Sequence, residues 1–163
     1  MPSAFSASPS GIVTGRFDLE SINRSALVPY SPQEMFALVS DVDSYPQFLP
    51  WCSDAQVLAA EGDEVTARIA FAVGGVSKSF TTRNHHTPGR RIEMRLIEGP
   101  FSDLRGYWQF DPLGDAGCKI SLSLKYGFSS RMVRMVVGPV FGQIANTLVD
   151  AFQQRAAEVY GER

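Results

Sequence analysis

The strongest constraint on this chain lies near its C-terminal end. From Arg131 onward, Val133, Val137, Val140 or Phe141, Ile144, Leu148, Phe152, Ala156 and Val159 recur at spacings of three and four. Arg134, Gln143, Asn146, Asp150, Gln154 and Glu158 lie mostly off that stripe. This is the pattern of an amphipathic helix. At 1.5 Å per residue it would run about 45 Å, with Ser129 or Ser130 as its cap and Pro139 bending it or loosening its first turns. A stripe that long must be covered by something else in the chain. With 163 residues and 17.9 kDa, the chain is sized for one domain, so the cover comes from the segments before it.

From Val57 those segments change period from helical to two. Val65, Ala67, Ile69, Phe71 and Val73 alternate with smaller or polar residues up to Gly74-Gly75, which predicts a hairpin. Val76 to Asn84 is the paired strand, with Phe80 on its apolar face. Ile92, Met94 and Leu96 alternate with Arg91, Glu93 and Arg95; Gly106, Trp108 and Phe110 share a face, and so do Ile120, Leu122, Leu124, Tyr126 and Phe128. Each strand has one apolar face, as in an antiparallel sheet solvated on one side. Ile22 to Val28 reads as a first strand closed by Pro29. Ser31-Pro32-Gln33-Glu34 reads as a capping box with proline at the first helical position, and Tyr30 and Met35 as its hydrophobic staple. Asp41 or Asp43 is expected to cap a second short turn that Pro46 and Pro50 keep from growing. The expected architecture is α+β: a curved antiparallel sheet of about six or seven strands against a long C-terminal helix, with two short helices after the first strand. Residues 1–16, rich in Ser, Pro, Gly and Ala, are expected to form a flexible leader, and residues 17–163 a single domain.

Several function classes recede at once. Fifteen Lys and Arg against seventeen Asp and Glu give a net charge of −2, which argues against a general nucleic-acid binder and leaves room for a local basic face. DNA is not an expected partner. Cys52 and Cys118 form no CxxC pair, as expected of a reduced, cytoplasmic protein. No secretory signal is expected at residues 1–15, and the richest apolar run, Met132 to Ile144, is interrupted by Arg134, Gly138 and Pro139, so no membrane span is expected. The two histidines, His85 and His86, are adjacent on a strand end and point opposite ways, which predicts no metal site. Neither a nucleophile elbow, nor a P-loop, nor a dinucleotide-binding glycine pattern is present, and no catalytic residue and no cofactor are expected.

Two aromatic runs stand apart, Asp41 to Cys52 and Gly99 to Phe110. Such runs at a sheet mouth either line an apolar pocket or plug the end of the core. The pattern Ser-x-x-x-x-Phe-x-Leu-Val-x-Asp-Val-x-x-Tyr-Pro-x-Phe-Leu-Pro-Trp-Cys (Ser31 to Cys52), Gly-Pro-Phe-x-x-Leu-x-Gly-x-Trp-x-Phe (Gly99 to Phe110) and Gly-Pro-Val-Phe (Gly138 to Phe141) resembles the coenzyme Q-binding branch of the START-like, polyketide cyclase/dehydrase superfamily. Bacterial members of that branch are often labelled ribosome-association toxin. The resemblance spans roughly Ile22 to Val159. It implies a helix-grip fold, with the sheet wrapped around the C-terminal helix and an elongated apolar cavity between them.

Such a cavity would hold a polyprenyl quinone such as ubiquinone, or a similar isoprenoid, as a bound ligand, and the chain would act as a lipid chaperone supporting respiration. Each buried methylene contributes about 0.8 kcal/mol. The expected lining comes from the connecting loop and the sheet, with Leu49, Trp51, Phe71, Phe80, Met94 and Leu96, then Trp108, Phe110, Leu124 and Phe128, and from the helix, with Val140, Phe141 and Ile144. Tyr45, Phe48, Phe101, Met132 and Met135 are expected at its mouth, with transient contact at the inner membrane surface as the route for a ligand. The alternative is a toxin-like regulator that binds the large ribosomal subunit and blocks subunit association. Arg83, Arg91, Arg95 and Arg105 are the expected contact patch, since Arg91 and Arg95 face solvent if Ile92, Met94 and Leu96 face inward.

Overall fold

The computed structural model describes residues 19–163; the expected leader at 1–16 lies outside them. The first strand, β1 (Glu20–Val28), leads into α1 (Pro32–Ser40) and a 3-10 turn (Val42–Gln47). Six more strands follow: β2 (Cys52–Glu61), β3 (Glu64–Val73), β4 (Val76–Thr87), β5 (Arg91–Glu98), β6 (Phe101–Leu113) and β7 (Gly117–Phe128). The chain ends with α2 (Arg131–Tyr160). All neighbouring strands are antiparallel, in the order β1-β7-β6-β5-β4-β3-β2. Both short elements and the long helix stand where the sequence places them.

Local chemistry explains the boundaries. At α1, the Glu34 amide donates to Ser31 Oγ (3.0 Å) and the Ser31 amide donates to the Glu34 carboxylate (2.9 Å), closing the capping box. Tyr30 and Met35, the staple pair, are both buried. Ser130 Oγ caps α2 by accepting from the Val133 amide. Gly74 and Gly75 both take positive φ in the β3–β4 turn, the conformation a two-residue hairpin needs. Neither aspartate acts as expected at the 3-10 turn. The turn has no side-chain cap; Asp41 accepts from Ser44 and Asp43 from the Val57 amide of β2. β2 also begins at Cys52, five residues before the period-two signal, because this edge strand buries little of itself and so lacks a strong alternation.

α2 lies across the sheet's inner face and packs on β7, β1, β4 and α1. It is long and apolar enough, by length and composition, to cross a bilayer, with a mean hydropathy of 1.3 over its richest window. That corrects one ground for expecting no span, the interruptions at Arg134, Gly138 and Pro139, which the surrounding Val, Met and Phe outweigh. In the fold, however, Val137, Phe141, Ile144, Ala145, Val149, Phe152 and Ala156 are buried on one side of the helix, as in the core helix of a sheet-covered domain. Its far end is fastened to α1 by Tyr160 Oη donating to the Glu34 carbonyl (2.9 Å) and by Arg163 gripping the Glu34 carboxylate at 2.8 and 3.0 Å.

Candidate functional site

The register of the sheet sorts its side chains onto two faces, each with a feature that local rules would disfavour. On the inner face, a cavity of about 90 Å³ lies between sheet and α2. Trp51, Phe71, Phe80, Met94, Trp108, Leu124, Phe141 and Ile144 border it, together with Tyr45, a residue the sequence places at a mouth. Leu49, Leu96, Phe110, Phe128 and Val140 pack into the core without bordering it.

The interior is compact rather than an elongated tube, for a visible reason. At the end where α2 begins, Phe141 meets Phe101 at 4.9 Å, Tyr126 at 4.8 Å and Phe80 at 6.0 Å between ring centroids, and Phe101 stacks on Phe128 at 5.4 Å. These rings fill the space that a tube would need. Phe101 is therefore part of a plug, and Phe48 packs against Tyr45 and Phe152 beneath the Arg155 guanidinium. Met132 and Met135 lie 75% and 73% exposed near the start of α2 and do not border this cavity. A void of 90 Å³ is smaller than the ~150 Å³ that admits a benzene ring, so a larger guest must displace the half-buried Trp51, Phe80, Met94 or Leu148.

Polar side chains also reach the cavity. Beyond Phe80, the inner face of β4 continues with Thr82, Asn84 and His86, all at the cavity wall. Their signal was present in the sequence as the same alternation that includes Phe80, but a search for apolar residues alone passes over it. Thr82 and Asn84 are buried, and Asn84 Oδ1 has no hydrogen-bond partner. His86 stands edge-on to Phe36 at 5.4 Å, and burial pushes its imidazole pKa down, favouring the neutral ring. Its neighbour His85 points to the other face and pairs with Glu64, which pulls its pKa up. Tyr45 Oη is committed to the Val39 carbonyl. The buried Cys52 and Cys118 thiols are both pushed up to about 11 by burial, far from a reactive thiolate. Among the described residues, no group of three or more His, Cys, Asp or Glu is placed to hold a metal.

The outer face carries charge. Arg83 of β4 is paired directly with Arg95 of β5, Arg95 with Arg105 of β6, and Arg105 with Lys125 of β7. Four exposed cations thus form one row across four strands, spanning about 14 Å at the usual strand spacing. Like charges directly opposite one another destabilise a sheet. Arg105 forms an ion pair with Asp103 at 3.5 Å, while Arg83, Arg95 and Lys125 have no ion-pair partner among the described residues. The row borders an open groove of about 650 Å³ that Tyr107, Ser123, His85, Glu64 and Glu93 also line, with Glu64 engaged by His85 and Glu93 by Arg91. Gly106 lies beside it, where a Cβ would stand 2.0 Å from the Ser123 carbonyl oxygen, so only glycine lets β6 lie this close to β7. Arg91 is placed differently from its three predicted companions. Its guanidinium lies 3.8 Å over the Tyr107 ring, contacts Glu93 and donates to Gln109, so the sheet itself uses its charge. Lys125, which lies thirty positions beyond Arg95 in sequence, joins the row only through strand pairing.

The family model for polyketide cyclase/dehydrase and lipid transport matches residues 28–153. The chain belongs to this family. Among its relatives, the ribosome association toxin RatA of Pseudomonas aeruginosa is 50% identical over 140 residues, covering 86% of this chain and 97% of that protein. A more distant relative, the mitochondrial coenzyme Q-binding protein COQ10 homolog B of Xenopus laevis, is 23% identical over 146 residues, covering 86% of this chain and 59% of that protein. Among solved structures, the Zhui aromatase/cyclase of Streptomyces sp. R1128 superposes with a TM-score of 0.78 at 16% identity, over 90% of this chain and all of that one. The polyketide cyclase and lipid-transport family therefore accounts for the helix-grip fold, and that likeness to a cyclase extends to the fold alone.

Proposed function

We propose that this protein is a ribosome-associating regulator that binds the large ribosomal subunit through the outer face of its sheet and opposes subunit joining. The observation that carries the reading is the row Arg83–Arg95–Arg105–Lys125. A chain of net charge −2 that lines up four cations at a cost to its own sheet has a surface suited to a polyanion. Ribosomal RNA presents phosphates at high density, and neutralising them releases counterions. The name of the 50%-identical relative supports the same partner, and that partner places the protein in the cytoplasm. The reading assigns no reaction to the chain. Added to separated ribosomal subunits at low magnesium and then shifted to joining conditions, the protein should co-sediment with the large subunit and deplete the joined peak. Migration at the top of the gradient, with joining intact, would reject the reading.

A second reading rests on the inner cavity: the same chain holds an apolar small molecule between sheet and α2. Its support is the enclosed space bordered by Trp51, Phe71, Trp108 and Phe141 and the distant coenzyme Q-binding relative. The two readings use opposite faces of the same strands and do not compete for residues.

A further inference from the structure

The inner cavity is apolar but not featureless, and its polar atoms restrict what could occupy it. Asn84 is 7% exposed and borders the cavity, and its Oδ1, covered in the resting fold, has no hydrogen-bond donor. A buried amide oxygen in this condition forfeits the hydrogen bond it makes to water in the unfolded chain, a loss that natural cores rarely leave standing. Thr82 and His86 flank Asn84 at two-residue spacing on the same face of β4, so one strip of β4 offers neutral hydrogen-bonding groups while the rest of the wall is almost wholly hydrocarbon. No Lys, Arg, Asp or Glu borders the cavity among the described residues. His86 supplies no charge either, since burial favours its neutral form.

From this arrangement we infer that the cavity takes a neutral amphiphile whose hydroxyl group donates to Asn84 Oδ1, with its apolar body against Trp51, Phe71 and Trp108. The inference rests on the second reading above and narrows it. An anionic head, such as a fatty-acid carboxylate or a lipid phosphate, would enter a wall with no cation to meet it, and burying an unpaired charge is prohibitive. A head that only accepts hydrogen bonds leaves Oδ1 as it is. The class is therefore a long-chain alcohol, a prenol or a phenol, and the same rule ranks a hydroquinone above its quinone. Because the resting void is about 90 Å³, the guest enters by displacing half-buried rim side chains, and the hydroxyl anchors it once inside.

The chain carries its own reporter, because its two tryptophans, Trp51 and Trp108, both border the cavity. Tryptophan fluorescence would be titrated with 1-decanol, its methyl ether and decanoate at pH 8, on the wild-type chain and on Asn84→Leu and Thr82→Val. The wild type should bind decanol about tenfold more tightly than the ether, the ratio expected for one hydrogen-bond donor, and decanoate should bind more weakly than either. Asn84→Leu should erase the preference for alcohol over ether while holding the ether within about threefold. Thr82→Val should keep most of that preference. If none of the three probes perturbs the tryptophans, the cavity reading itself fails. If alcohol and ether bind alike in the wild type, or Asn84→Leu keeps the difference, the anchor is wrong and the cavity reading stands. Decanoate binding as tightly as decanol would overturn the neutral-head assignment. Should Asn84→Leu fail to fold, the three wild-type titrations decide the matter.

Discussion

The inner and outer faces of one sheet depart from self-sufficiency in opposite ways. Inside, a mostly apolar wall carries one polar strip on β4, where the Asn84 amide oxygen is the one buried side-chain polar atom among the described residues that lacks a hydrogen-bond partner. Outside, like charges face one another across four strands, and three of the four cations have no ion-pair partner among the described residues. Elsewhere the fold satisfies its local rules: the capping box closes, Ser130 caps α2, and the tyrosines of the α1–α2 contact find carbonyls. Among the described residues, these two departures from local rules are where the proposed ligands would bind. The contrast also separates two kinds of ligand, since a neutral guest suits the inner face and a polyanion the outer.

Substitutions can test whether the two faces act independently. The largest effect is expected inside. Phe141→Ala opens the aromatic plug against Tyr126, Phe101 and Phe80, and denaturant unfolding should show a loss of about 3–5 kcal/mol, with the molecules still folded binding ribosomes as before. Next comes the double reversal Arg83→Glu with Arg95→Glu. It should weaken co-sedimentation with large subunits on the order of 100-fold, while the melting temperature holds steady, because the 83–95 pair stays like-charged, the pairing of position 95 with Arg105 turns attractive, and no packing is lost.

Glu34 lies on neither face and calibrates both. Its carboxyl is held at about 2, well below the ordinary 4.5, chiefly by the hydrogen bonds from Arg163 and then by the Ser31 amide. A folded-state value below the unfolded one means the stabilisation is complete above pH 4.5 and drains away as pH falls toward 2. Glu34→Gln should therefore cost about 1 kcal/mol at neutral pH and flatten the acid limb of a stability–pH curve between those values, with both ligand affinities at pH 7 unaltered. The smallest effect is Arg95→Ser alone. By relieving two like-charge pairings, it should leave stability equal or a few tenths of a kcal/mol higher, an unusual sign for an arginine in a sheet, and calorimetry would read it directly.

Much of the architecture was legible because hydrophobic period reports burial. The α2 stripe, the β3–β4 hairpin at Gly74-Gly75 and the capping box at Ser31 each state their geometry locally. β2 was legible only from Val57 because an edge strand buries too little to alternate. The sites were harder to read for a different reason: they are made by register. Arg83, Arg95 and Arg105 could be listed as neighbours in sequence, but Lys125 joins them only when β6 pairs with β7. Arg91 has the same residue type and the same face, and Tyr107, Glu93 and Gln109 engage it. Asn84 follows the alternation of β4, yet nothing in the sequence says that its amide oxygen will find no donor. Nor does composition announce that Phe141 and its ring neighbours will fill the α2 end of the interior.

The central claim is that the cation row meets a polyanion, and salt dependence tests it most directly. Large-subunit affinity of the wild-type chain, measured across about 50–300 mM monovalent salt, should fall with a log–log slope of about −2 to −3, as three or four neutralised phosphates require. In Arg83→Ser with Arg95→Ser the slope should shrink by about 1.5. A slope near zero, or one that the double variant leaves unchanged, would contradict the account.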